Sequence, residues 1–408
     1  SQVWDHLGES LLNVHRLAEA QAALTESYRL RVLDHDESLP ITRAHLAELE
    51  LAKGNFATAL KRLDAVLAGP HSALRIIPEY QIQYRRAQML EGLHRDEEAL
   101  QIYRKAVHLA RDWREGSLPG ETALASTSIY LHNLFDDASN LAARLALLQK
   151  SDALARESLE ILAASRAFDL RDRRALTYLQ QDRLPPRYFT LLSELQAAQS
   201  KASLTESERD QEKVEQIRLD LFQLAVDIGL EDKKMYGKRE KNSSQKSLID
   251  VQQNLTANDL LLSFNLGESS SWLWAVTRDS ISLEPISKRQ KLLGLARSWS
   301  TEIREGRMGT TSGQELAREL FGKLPPAAQK ARNWMVVSDS SLFQGLPIAD
   351  LPDINSGRSS MTAASLSLHP LIEGHSIRYI PSEFSITEDV SHWKADSFLG
   401  IGDPIYNL

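Results

Sequence analysis

A pattern repeated at a nearly constant spacing constrains the fold of this chain more than any other feature. Ala20, Ala59 and Ala99 each follow a short turn early in a predicted second helix, and they lie 39 and 40 residues apart. Small residues at such a period let the two helices of a hairpin approach closely, as in stacked helical repeats. One hairpin cannot bury its apolar face alone, so the pattern predicts an all-α superhelix over residues 1–170.

The residue five positions before each of these alanines supports the register. These residues are His15, Gly54 and His94. A glycine there suits the left-handed C-cap of a helix. The same offset before Ala155 gives Lys150, which predicts a fourth unit over about 137–168, after an extra helix at 121–135. The two histidines could be metal ligands, but their equivalent turn positions favour structural caps.

The first repeat resembles a tetratricopeptide repeat (TPR). It places Trp4, Leu7, Gly8 and Leu11 ahead of Ala20 at TPR-like spacings, although the period exceeds the usual length of about 34 residues. Stacked hairpins form a concave groove that commonly binds proteins, and the alternative role is that of a spacer. We expect a protein or peptide ligand in the repeat groove.

Residues 171–230 are predicted to form a helical neck. One helix is expected from 187 to about 200, after two prolines, and a capping box at 205–208 opens a second helix. The second helix has apolar residues at heptad spacing, namely Val214, Ile217, Leu221, Leu224 and Ile228. Two heptads are too few for an isolated coiled coil, which favours an antiparallel hairpin. The lysine-rich residues 231–249 predict a charged linker, with an anion site or a cleavable hinge as the alternative.

Residues 250–408 change to the pattern of an α/β domain. Three short strands predict an antiparallel meander, at 258–267, 271–276 and 280–285. Helices are predicted at 288–305 and 312–324. Three fully buried strands are predicted after them, at 334–337, 376–380 and 397–404. Open α/β sheets place their functional residues beyond the C-terminal ends of such strands, so we expect the functional residues after Pro404.

Five motifs in this region come in a fixed order. They are a Leu-Gly-Glu turn at 266–268, an aromatic strand running into Val-Thr-Arg-Asp at 271–279, a Leu-Pro-x-Ala-x-Leu segment at 346–351, a His-x-Ile-x-Tyr-x-Pro-Ser strand at 375–382 and a Leu-Gly-Ile-Gly-Asp-Pro strand at 399–404. This order resembles that of CHAT domains, which are caspase-like domains joined to TPRs through a helical neck. The resemblance predicts a TPR-like superhelix followed by an incomplete α/β caspase-like (CHAT) domain.

The resemblance implies a cysteine peptidase of the caspase and separase clan. The family's dyad is a histidine in a His-Gly turn and a cysteine on a later strand, both downstream of the Gly-Asp-Pro strand. The sequence has neither a His-Gly pair nor a cysteine, so no catalytic residue is assigned. We expect a fragment cut at both ends, with the catalytic half beyond Leu408, that is inactive alone. The alternative is a non-catalytic scaffold with a degenerate caspase-like docking module.

Three further observations exclude other functions. The net charge of −7 argues against nucleic acid as the main ligand, and the absence of cysteine removes zinc–thiolate sites and disulfides. No apolar run approaches the roughly 18 residues of a membrane span, so we expect a cytoplasmic protein. We also expect no cofactor and no metal. His375 is expected to be a half-buried structural residue. Gly400 and Gly402 lack the third glycine of a dinucleotide fingerprint, and Asp339 and Asp403 suit turns.

Overall fold

The described part of the chain is mostly helical and includes a small mixed sheet towards its C-terminal end. The computed structural model describes residues 1–69, 77–116, 128–180, 185–205, 208–227, 247–307, 311–337, 348–353 and 369–387. Some of the sequence predictions therefore lie outside the described residues. They concern the centre of the capping box, nearly all of the charged linker, the start of the Leu-Pro segment, Asp339, and the last predicted strand with Gly400, Gly402 and Asp403.

Four antiparallel helical hairpins stack in chain order. Their helices are α1 Gln2–Asn13, α2 Leu17–Leu33, α3 Leu39–Ala52, α4 Phe56–Leu67, α5 Glu79–Gly92, α6 Asp96–Gly116, α7 Ser128–Gln149 and α8 Asp152–Gln180. The repeated alanines Ala20, Ala59, Ala99 and Ala155 all lie in the second helix of a hairpin, and all are buried. Their small side chains allow the close helix approach that the sequence predicts.

The fourth hairpin is longer than predicted. A single helix, α7, runs without a break from Ser128, so the prediction of an extra helix ending at residue 135 and a separate unit from about 137 is wrong. The apolar period continues through this point, since Leu134, Phe135, Ala138 and Leu141 are all buried on one side of the helix. No sequence signal for a turn interrupts that stripe.

The turns between the paired helices have a left-handed residue at each predicted position. The backbone φ angles are +56° at His15, +78° at Gly54, +58° at His94 and +51° at Lys150. The residue after each of these donates its N–H to the carbonyl five residues earlier, as Arg95 does to Leu90 at 3.0 Å. This is the Schellman pattern, which satisfies the last carbonyls of a helix. The interpretation of His15 and His94 as structural caps is confirmed.

Alanine substitutions at two glycines should have opposite effects on stability. Both sites have open space where the alanine Cβ would stand, so packing does not decide the outcome. Gly54→Ala places a side chain at φ +78° and is expected to cost about 1 kcal/mol of unfolding free energy. Gly294→Ala, in the exposed interior of a helix, is expected to gain about 1 kcal/mol. Urea unfolding of both variants measures the signs, and two changes of the same sign would contradict the assignment.

The predicted neck is a helical hairpin. Its helices are α9 Pro186–Thr205 and α10 Glu208–Asp227, and they pack against each other. Val214, Ile217 and Leu221 are buried, as their heptad spacing predicts, and Leu224 is half-buried.

The sheet has the strand order β3-β2-β1-β4-β5. Its strands are β1 Asp259–Leu266, β2 Ser271–Val276, β3 Ile281–Ile286, β4 Asn333–Val337 and β5 Ser376–Tyr379. The first three form the predicted antiparallel meander, and β1, β4 and β5 run parallel. The helices around the sheet are α11 Leu248–Asn254, α12 Arg289–Arg304, α13 Thr311–Phe321, α14 Pro326–Gln329 and α15 Leu371–Gly374, with short 3-10 segments at Ile348–Asp350 and Glu383–Thr387.

Strand β5 differs from its prediction. Ser376, Arg378 and Tyr379 are exposed and Ile377 is half-buried, so the prediction of a fully buried strand is wrong here. The reason is its position, because β5 forms the edge of the described sheet and pairs with β4 on one side. Strand β4 is buried along Trp334 to Val337, as predicted.

Candidate functional site

The fourth hairpin packs directly on one face of the sheet. Ala155, Leu159 and Leu162 of α8 belong to the same apolar core as residues of the sheet face. Those sheet residues are Leu261, Trp272, Trp274, Val276, Ile281, Leu283, Met335 and Val337. Helices α12 and α13 cover the opposite face. The fourth hairpin and the sheet therefore share one interior, although 67 residues separate Gln180 from Leu248, where α11 begins.

Polar contacts orient this junction. The indole N–H of Trp272 donates to Asn140 Oδ1 at 2.6 Å, and that of Trp274 donates to Ser158 Oγ at 2.9 Å. A buried tryptophan needs such an acceptor for its single donor. Because Asn140 belongs to α7 and Ser158 to α8, strand β2 is bonded to both helices of the fourth hairpin.

Arg166 of α8 reaches the C-terminal edge of the parallel strands. Its Nη1 donates to Ser263 Oγ at 2.8 Å and to Glu383 Oε1 at 2.5 Å, and its Nη2 donates to the carbonyl of Phe264. Ser263 pairs with Val337 at the end of the β1–β4 ladder, so the guanidinium lies where that ladder stops. Open α/β sheets commonly hold their functional sites at this edge.

Glu383 is a fully buried member of this group. It is 0% exposed, and its Oε1 also accepts from Ser263 Oγ at 2.6 Å. Its Oε2 is buried and has no hydrogen-bond partner among the described residues. A buried carboxylate is costly unless it is paired, so Arg166 holds the segment after β5 against helix α8. The arrangement positions chain segments and offers no accessible nucleophile, since Ser263 is itself buried.

His375 lies at the opposite end of β5 from Glu383. It is half-buried, its Nδ1 donates to the Ala331 carbonyl at 2.8 Å, and its ring lies 4.3 Å from that of Trp334. These contacts agree with the structural role expected for it.

A second buried charged group ties the first two hairpins together. Asp5 of α1 accepts from Thr42 Oγ1 at 2.7 Å, and it lies 3.5 Å from Arg31 Nη2. His45 Nδ1 lies 3.3 Å from Asp5 Oδ2, which is an ion-pair distance. Asp5, Arg31, Thr42 and His45 are all buried. We call these four residues the Asp5 cluster.

A surface groove of about 420 Å³ lies between the first two hairpins. Helices α2, α3 and α4 line it, with Leu49 and Val66 as its buried apolar floor. Its walls include Tyr28, Arg43 and Arg62. We call it the α2–α4 groove.

Sequence reasoning missed Arg166 and Glu383. One signal was available for Arg166, because it continues the helical stripe of Ala155, Leu159 and Leu162 and so stands on an apolar face. A charge in that register predicts a buried partner. Nothing comparable marks Glu383, which lies 217 residues away in sequence.

No protein-family model matches the chain, and no curated protein matches it. In the part that the structure describes, no helix is long and apolar enough to span a membrane, and no three metal-ligating side chains come together. What the structure defines is a stack of helical hairpins that shares a core with a small mixed sheet.

Proposed function

We propose that this chain belongs to a TPR–CHAT protein in which the repeats bind a protein or peptide and thereby regulate a caspase-like cysteine peptidase. The five ordered motifs behind helical repeats support this proposal. The peptidase dyad would come from residues beyond Leu408, since the sequence contains no cysteine.

The proposal needs a physical connection between the repeats and the sheet domain. The observation that supports it is their shared core with the Arg166–Glu383 pair. Helix α8 belongs at once to the last hairpin and to the layer that covers the sheet. A ligand that shifts the hairpins would move Arg166, and with it the ends of β1 and β5. Packed cores move between discrete arrangements, so a small displacement of α8 could shift the C-terminal ends of the parallel strands from one position to another. This edge is where open α/β sheets hold their functional residues.

A non-catalytic scaffold is the second candidate. The cysteine-free sequence and the buried, purely structural contacts at the strand ends favour it. In that case the sheet domain would be a docking module, and the repeats would still bind a partner.

The two candidates are separated by sequencing the reading frame past the codon for Leu408 and assaying its full product. A His-Gly turn and a cysteine in the following strands, with partner-dependent cleavage of a polypeptide that a Cys→Ala variant loses, would support the peptidase. Retained partner binding without any cleavage would establish the scaffold instead.

A further inference from the structure

The α2–α4 groove combines an apolar floor with a cationic wall. Leu49 and Val66 close its base, and Arg43 lies 6.0 Å from the centre of the Tyr28 ring, where a cation and an aromatic face attract each other. Arg62 contributes a second guanidinium from α4. The volume of about 420 Å³ suits a few amino-acid side chains.

The charges of the groove are not balanced internally. Glu50 is the one acidic residue in the described lining; the hydrogen bond from Asn55 at 2.8 Å lowers its pKa, and the charges of Lys53 at 3.5 Å and of Arg62 lower it further. Within the described residues neither Arg43 nor Arg62 forms a salt bridge. The groove is therefore locally positive on a chain whose net charge is −7.

We propose that the α2–α4 groove binds an acidic peptide segment, with an aliphatic side chain on the Leu49–Val66 floor and carboxylates on Arg43 and Arg62. This inference rests on the proposed function and names the site and chemistry of the peptide partner. Guanidinium groups bind carboxylates through paired hydrogen bonds, which makes them suited to this selection. Two guanidinium groups and an aliphatic floor suit a peptide better than a nucleic acid, which needs many phosphate contacts and stacking rings.

The test uses the whole chain and fluorescein-labelled peptides of alternating glutamate and leucine. Matched peptides carry glutamine or lysine in place of glutamate. By fluorescence anisotropy, the glutamate peptide should bind at least about tenfold more tightly than the glutamine peptide, and its affinity should fall with added salt.

Variants of the groove make the assignment specific. The double change Arg43→Gln with Arg62→Gln should weaken the glutamate peptide about tenfold, and reversal of both to glutamate should turn the preference to the lysine peptide. Arg29→Gln is the matched control, because Arg29 is an exposed arginine of α2 that pairs with Glu26 outside the groove lining. It should leave binding unchanged. Circular dichroism confirms that all variants are folded.

Three results of the binding assay would overturn the inference. They are equal affinity for the three peptides, binding that survives both double changes, and tighter binding of a single-stranded oligonucleotide of equal charge that the same changes abolish. Capture of a protein partner that the groove variants do not weaken would also reject the groove while leaving the proposed function intact. If the full product binds no partner on any surface, the proposed function itself fails.

Discussion

Arg166→Ala is expected to lower the free energy of unfolding by about 3–5 kcal/mol. The change removes the cation from Glu383, which is 0% exposed in the parent chain and keeps the Ser263 hydroxyl as a donor, and it strips the Phe264 carbonyl of its guanidinium partner. An uncompensated buried carboxylate costs several kcal/mol, which is much more than the net value of a typical hydrogen bond. Urea unfolding followed by tryptophan fluorescence suits this measurement, because Trp272 and Trp274 lie in the same core.

Arg104→Ala is the matched control. Arg104 of α6 makes a bidentate pair with Glu157 of α8 at 2.6 and 2.7 Å, whereas Arg166 meets Glu383 through one contact at 2.5 Å. Its side chain is 37% exposed, against 16% for Arg166. Water can replace its partner, so the loss should stay below about 1 kcal/mol. Equal losses for the two variants would show that burial does not distinguish the pairs.

A double variant separates the buried charge from lost packing. Arg166→Met with Glu383→Leu removes both charges and should be more stable than Arg166→Ala alone, because no unpaired carboxylate remains. Hydrogen exchange should localise the effect of Arg166→Ala to β1 and Glu383–Thr387 while α1 to α6 keep their protection. A loss of protection spread evenly over the hairpins would argue against the coupling role of the junction.

The features that the sequence predicts well depend on neighbouring residues. A left-handed residue ends a helix through contacts within the same turn. Its position five residues before each repeated alanine therefore predicts the turn, even where histidine or lysine stands in place of glycine. Strand alternation and short turns likewise predict the meander of β1 to β3. These patterns need no knowledge of what the element packs against.

The junction could not be predicted because it depends on distant residues. The apolar stripe of α8 predicts that some surface covers it, but the same stripe would suit another hairpin as well as a sheet face. Only the fold brings Glu383 to Arg166 and Asn140 to Trp272. The exposure of β5 has the same origin, since an apolar strand pattern does not specify whether both edges are paired.

The Asp5 cluster gives a second large expected effect, this one dependent on pH. Burial alone would raise the pKa of the Asp5 carboxyl, but His45, Thr42 and Arg31 together hold it below its ordinary value of 3.8. Burial alone would lower the pKa of His45, but the contact with Asp5 and the charges of Glu48 and Glu9 raise it above 6.5. Each shift favours the ion pair in the folded state.

These two shifts have opposite consequences along the pH scale. The lowered pKa of Asp5 contributes stability that is present above 3.8 and is lost as pH falls through its folded-state value. The raised pKa of His45 contributes stability that is present below 6.5 and is lost as pH rises through its folded-state value. The cluster therefore stabilises the first two hairpins most strongly between these two ordinary values.

Asp5→Asn is expected to cost about 3 kcal/mol of unfolding free energy at a pH inside that window. Asparagine keeps the shape and can still accept from Thr42, but it leaves Arg31 and protonated His45 buried without the carboxylate. The cost stays at the lower end of the range for buried pairs because Arg31 still donates to the Ser38 carbonyl. Above the folded-state pKa of His45 the difference from the parent chain should shrink, since one buried charge has then gone.

Urea unfolding of both proteins across this pH range measures the effect. Glu37→Gln removes an exposed carboxylate from the loop between α2 and α3 and should leave the pH profile unchanged. Parallel profiles for Asp5→Asn and the parent chain would mean that His45 does not titrate against Asp5. A converging profile would instead show that the Asp5–His45 pair contributes to the pH dependence of the first two hairpins, beside the carboxyls of Asp36 and Glu50, whose pKa values are also lowered.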